Sequence, residues 1–205
     1  GPPPGPPHKI ANDPTHVPTG PNLVTNGGFE MGTFGAGTET PVSGSGVIGN
    51  WRVDPISMFS AARWIGAAHA MFSNAAEGAR FVDLTGGRPP GPSRVLAQLY
   101  TDTGLAVLQA GQSYEVSLDL GVGPNNGSGA NFGPPVGATI RVFGPPIGLA
   151  ETFESNPVNP PQGSGVAWER FSFRFKIPAG FTVTNNTILI SGGKANQFCG
   201  VDNVS

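Results

Sequence analysis

Two stretches constrain this chain more than any others. In "QSYEVSLDLGVG", Tyr114, Val116, Leu118 and Leu120 alternate with Glu115, Ser117 and Asp119. In "WERFSFRFKI", Phe171, Phe173, Phe175 and Ile177 alternate with Arg170, Arg174 and Lys176. Strict alternation puts the apolar side chains on one face of an extended strand and the polar ones, Asp119 included, on the wet face. Strands of this kind belong to antiparallel sheets that bury one face against a second sheet. Shorter runs of the same character recur in "VIGNWRV", "ARFVDLTG", "RVLAQLYT", "ATIRVFG", "NTILISGG" and "FCGVDNVS", with turn segments such as "GRPPGPS" between them. Residues 57–79 are Ala-rich but hold Gly66 and no 3.6-residue stripe, so they read mostly as loop. The expectation is an all-β, antiparallel sandwich of about eight or nine strands.

The chain divides in two. Residues 1–21 open on "GPPPGPPHKI" and have almost nothing to bury. Such a segment favours extended polyproline II, and Gly1 and Gly5 are four apart, which breaks a collagen period. It reads as an arm, 1–21, followed by one domain, 22–205. The arm is either a linker remnant or a docking element. As a docking element, "HKIANDPTHV" would add a short strand to an open sheet edge, with Ile10 and Val17 as apolar anchors and Pro14 limiting the pairing. Docking on the same domain and docking on a neighbouring copy are both open.

Composition excludes several classes of function. Charged residues are only 12%, the formal net charge is −2 and the Lys and Arg are scattered, so the chain lacks the basic patch a nucleic-acid binder needs. No apolar run approaches the roughly 20 residues that cross a bilayer, so no membrane insertion is expected in this segment. There is no initiator Met and no signal pattern, as in a processed chain or a fragment. Cys199 is the only cysteine, which precludes an intrachain disulfide. In the apolar "QFCGV" it reads as a small buried hydrophobe, or else as half of an interchain bridge. His69 is the only histidine outside the arm, without a GxSxG or a local acid motif, so catalysis is not expected.

The order "NLVTNGGFE", "GNW", "GARFVDLTG", "QSYEVSLDL", a "W…FSF" strand and a terminal "VDNVS" resembles the galactose-binding-like jelly rolls. That group includes many carbohydrate-binding modules and bacterial surface proteins of the anchored, PEP-CTERM-associated (choice-of-anchor) kind. The resemblance covers about residues 22–205 and implies a jelly-roll β-sandwich in an extracellular or cell-surface protein. It also implies a structural calcium ion joining Glu30 of the opening motif to Asp202 of the closing one. Two carboxylates with backbone carbonyls could supply the six to eight oxygens calcium takes. Here Asn203 stands where a second Asp often follows, which lowers the charge of such a site.

Two functions fit. One is a non-catalytic extracellular structural subunit that self-assembles into a filament or surface layer with copies of itself through the arm. Low charge, high Gly and Pro content and the scarcity of Trp and Tyr favour it. The alternative is a carbohydrate-binding module holding polysaccharide through loop aromatics. Its candidate site is Trp64, in the irregular "ARWIG", as an exposed platform with Phe59, Arg63 and His69 around it.

Overall fold

The computed structural model describes residues 8–10 by their backbone and residues 19–54, 62–85, 97–102, 106–124, 136–145, 147–155, 158–192 and 198–205 in full. Val17 and Phe59 lie outside the described residues. The strands are β1 (His8–Ile10), β2 (Glu39–Val42), β3 (Trp51–Asp54), β4 (Ala62–Gly66), β5 (Arg80–Asp83), β6 (Gln98–Thr101), β7 (Ser113–Val122), β8 (Val136–Gly144), β9 (Ile147–Ser155), β10 (Ala167–Lys176), β11 (Thr187–Gly192) and β12 (Gly200–Asp202). Among the described residues no helix is long and apolar enough to cross a membrane.

All pairings are antiparallel. One sheet runs β1-β10-β7-β12-β5-β4-β2 and the other β3-β6-β11-β8-β9. From β5 onward the pairs nest: β8 with β9, β7 with β10, β6 with β11 and β5 with β12. Successive pairs fall alternately in the two sheets. A long hairpin folded at the β8–β9 turn and rolled upon itself gives this order, which is the jelly roll. The chain before β5 only extends it, β3 on the five-stranded sheet and β4, β2 and β1 on the other.

The alternating stretches become β7 and β10, paired with Leu118 opposite Phe171 and Val116 opposite Phe173. Their apolar faces join Trp51, Leu99, Ile140, Ile190 and Val201 in one core between the sheets. The other face of the seven-stranded sheet carries a smaller cluster of Ile65, Phe72, Phe81, Val166 and Phe198, with Trp168 packed against it. Where both faces are covered, the polar alternation disappears.

Three expectations need correction. The strands are more numerous than eight or nine: β2 and β4 are short and carry no periodic signal of their own, and the sequence expectation passes over the nine-residue β9, in which Ile147, Leu149 and Phe153 do alternate inward. Within the stretch read mostly as loop, Ala62–Gly66 forms β4, held between β2 and β5, while 67–79 are turns and bends. Asp119 is not on a wet face. It is only 7% exposed, because Arg170 and Asn203 fold over it and both donate to its Oδ2, at 3.3 and 3.1 Å.

"NLVTNGGFE" forms a clip. Asn26, at φ 56°, donates from Nδ2 to the carbonyls of Met31 (2.9 Å) and Gly49 (2.7 Å) and accepts from the Met31 N–H at 3.0 Å. Its own carbonyl accepts the Trp51 indole N–H at 2.8 Å. Asn suits that left-handed backbone position because its short amide bonds locally. Gly27 lets the opening pass against the chain end: a Cβ there would lie 1.8 Å from the Val204 carbonyl oxygen. The Val204 N–H donates to the Gly27 carbonyl at 2.9 Å. The first and last segments of the domain are thereby strapped together.

Candidate functional site

The loop-aromatic patch does not form as expected. Trp64 is buried at 0% exposure. It lies edge-on to Phe34, with centroids 4.9 Å apart, and its indole N–H donates to the Phe29 carbonyl at 2.9 Å. An indole enclosed in this way offers no ring face to a ligand. Arg63 and His69 do come together, on opposite sides of Glu39. Arg63 Nη1 lies 3.0 Å from Glu39 Oε1 and His69 Nε2 3.4 Å from Oε2. The other ring nitrogen of His69 accepts the backbone N–H groups of Met71 and Phe72, which caps a turn. The group is a polar brace at the end of β2 and β4.

Glu30 and Asp202 also meet, and Glu77 joins them. Glu30 Oε1 accepts the N–H groups of Ala79 (2.7 Å) and Arg80 (3.0 Å). Asp202 is fully buried and accepts from the N–H of Glu77 at 2.9 Å and of Asn203 at 2.8 Å. Burial pushes the Asp202 carboxyl up to about 8 against those hydrogen bonds, and the nearby Glu30 and Glu77 carboxylates raise it further. Gly78 is required there, since at φ 60° a Cβ would meet Glu30 Oε1 at 2.1 Å. Among the described residues no three His, Cys, Asp or Glu side chains are gathered into a ready metal cage. The chemistry nevertheless fits a hard cation: oxygen donors only, like charges facing one another, and a buried carboxylate whose ionised form is disfavoured without a counter-charge.

A third feature lies on the outer face of the five-stranded sheet. Register places Arg52, Tyr100, Leu189, Arg141 and Ala150 in one row across all five strands. The adjacent row is Asp54, Gln98, Ser191, Thr139 and Thr152. On the other side of the first row, Phe143 stands opposite Thr187 and is 38% exposed. The Arg52 guanidinium lies 4.6 Å from the Tyr100 ring centroid and pairs with Asp54 at 3.2 Å. The Tyr100 hydroxyl donates to Gln98 Oε1 at 2.8 Å. Tyr100 is thus fixed, while Phe143 is open. Two strand spacings and two residues of rise separate their Cα atoms by about 12 Å.

The sequence expectation passed over this face, although the signal is present. In "ATIRVFG" the alternation that buries Ile140 and Val142 turns Arg141 and Phe143 outward. Elsewhere, a cleft of about 1140 Å³ opens between residues 19–24 and the ends of β7 and β10. Much of its lining is core side chain, including Val116, Val142, Phe175 and Ile188. Cys199 is buried, and burial, with the charge of Asp83 beside it, pushes its thiol up. A thiol so held is inert.

No protein-family profile and no curated protein matches the chain. Among solved structures it is similar to a "Family 16 Carbohydrate Binding Module-2", at 13% identity and a TM-score of 0.47, over 90% of this chain and 98% of that one. It is also similar to TmCBM61 in complex with β-1,4-galactotriose, at 14% identity and a TM-score of 0.37, over 84% of this chain and 95% of that one. At such identities no residue role transfers from either structure.

Proposed function

We propose that the domain is a non-catalytic carbohydrate-binding module that holds polysaccharide on the outer face of its five-stranded sheet. The observation that carries this reading is the exposed Phe143 on the same face as Tyr100, among side chains that donate and accept hydrogen bonds. A pyranose ring has an apolar C–H face and a rim of hydroxyls, and such a surface meets both. The loop site around Trp64 is replaced by this one. Fully covering an exposed Phe side chain contributes about 1.5–3 kcal/mol; Phe143 is 38% exposed, so Phe143→Ala should weaken binding about three- to sevenfold. Native electrophoresis through gels containing a panel of soluble polysaccharides tests this. Migration that no polysaccharide retards, or retardation that Phe143→Ala leaves unchanged, would refute the proposal.

We also propose a structural calcium ion held by Glu30 and Asp202 with nearby backbone carbonyls. The ion would neutralise the acidic corner and reinforce the strap between the two ends of the domain. The site of action would be outside the cell, as the resemblance to anchored surface proteins implies.

Self-assembly is a second reading, and it would use an edge that the chain's own arm occupies. The backbone of β1 pairs with β10 of its own chain, His8 opposite Arg174 and Ile10 opposite Ser172, and forms the edge of the seven-stranded sheet. β10 could instead receive the β1 segment of another copy, because strand addition uses main-chain hydrogen bonds. Sedimentation of the full chain and of a chain beginning at Thr19 decides it: larger species only for the full chain support exchange, and monomers for both refute it.

A further inference from the structure

Arg141 is an anomaly on the sheet face. It is exposed at the middle of β8, directly opposite Leu189 on β11 and Ala150 on β9. Its neighbours on the same strand face are Thr139 and Phe143, and the diagonal ones are two threonines, a serine and a glycine. None carries charge. The other guanidinium on this face, Arg52, is paired with Asp54, whereas Arg141 has no ion pair among the described residues. The carboxylate nearest by register is Glu151 on the edge strand β9, opposite Ile140 and so on the alternate face, where its Oε1 accepts the Thr152 N–H at 3.2 Å. On the face of Arg141 itself the nearest is Glu154, opposite Gly137 and about 14 Å away.

In a protein with 12% charged residues, an unpaired arginine beside an exposed aromatic ring is a feature to be accounted for. A guanidinium presents a planar fork of donors that matches a carboxylate in two parallel hydrogen bonds. The Thr139 and Thr152 hydroxyls, 3.0 Å apart, add neutral donors and acceptors in the next row. We infer that Arg141 makes this face selective for acidic polysaccharide, holding the carboxylate of a uronic acid residue next to the sugar that covers Phe143. The inference rests on the sheet-face reading of the function and adds the charge of the ligand to it.

The test is quantitative affinity electrophoresis of the full chain with four probes: polygalacturonate, the same polymer with its carboxyl groups reduced to alcohols, dextran, and dextran sulfate. Polygalacturonate should be held about tenfold or more tightly than its reduced form, a charge-assisted pair being the difference. Arg141→Ala should erase that preference while leaving the weaker binding of the reduced polymer intact. Lys176→Ala, which removes an exposed cation from the other sheet, should change nothing. Equal binding of the acidic and reduced polymers overturns the inference and leaves the sheet-face reading standing. So does an equal loss from Lys176→Ala, which would show unspecific charge attraction. Tighter, Arg141-dependent binding of dextran sulfate would overturn the carboxylate in favour of a sulfate ester. If Phe143→Ala alters binding to none of the probes, the sheet-face reading itself falls.

Discussion

Replacing Trp64 and replacing Phe143 should have opposite consequences, and the contrast separates stability from binding. Trp64 is fully enclosed, so Trp64→Ala removes a large core side chain at a cost of about 3–5 kcal/mol. It also strips the Phe29 carbonyl of the indole N–H that reaches it at 2.9 Å, which places the cost near the upper end of that range. For a domain of this size, each kcal/mol moves the melting temperature by about 2–4 °C. Trp64→Ala should therefore melt roughly 10–20 °C below wild type. Phe143→Ala trims a side chain already 38% exposed at an outward position, and its stability should stay within about 0.5–1 kcal/mol of wild type. Scanning calorimetry measures the first quantity and affinity electrophoresis, run well below both melting points, measures the second. The folded fraction of Trp64→Ala should bind polysaccharide as wild type does, whereas stable Phe143→Ala should bind it several-fold more weakly. A Trp64→Ala protein that melts like wild type but no longer binds would refute the reasoning, because its indole would then be a surface platform.

Other perturbations probe the strap, the acidic corner and the thiol. Gly27→Ala forces a Cβ to within 1.8 Å of the Val204 carbonyl, so it should cost about 2–3 kcal/mol in urea unfolding; a change below 0.5 kcal/mol would mean the two ends are not strapped there. In chelator, stability should fall as pH rises from about 4 to about 8. Across that window the native Asp202, raised to about 8 from an ordinary 3.8, keeps a proton that the unfolded chain has lost. Calcium should raise the urea midpoint and remove most of that fall, since a cation favours the ionised carboxylate; midpoints unchanged by calcium at both ends of the window would dispose of the ion. Cys199 should resist thiol reagents in the native protein and react once the chain is unfolded, and fast labelling of native protein would contradict its burial.

How much of this was readable beforehand depended on whether a strand keeps one face wet. β7 and β10 alternate plainly, and their pairing supplies the two longest strands of the larger sheet. The same rule, applied to "ATIRVFG", turns Arg141 and Phe143 outward, so half of the sheet-face site was legible without a structure. β4 was not, because its two faces meet different apolar clusters: Trp64 joins the core between the sheets, while Ile65 packs with Phe72 and Phe81 outside. With Arg63 as its one polar side chain the strand has no clear period, and a tryptophan in an aperiodic stretch invites assignment to an exposed loop. Asp119 shows the reverse failure. Its alternation is right but its solvent exposure is not, because burial there comes from Arg170 and Asn203, 51 and 84 residues away. Glu77 belongs to the acidic corner only through the nesting of β5 against β12, which no local spacing encodes. The jelly roll brings together residues near opposite ends of the chain, and a site assembled that way becomes visible only when register is known. Tyr100 and Phe143 are such a case: each faces outward by its own strand's alternation, but only β11 between them sets the distance a sugar chain would have to span.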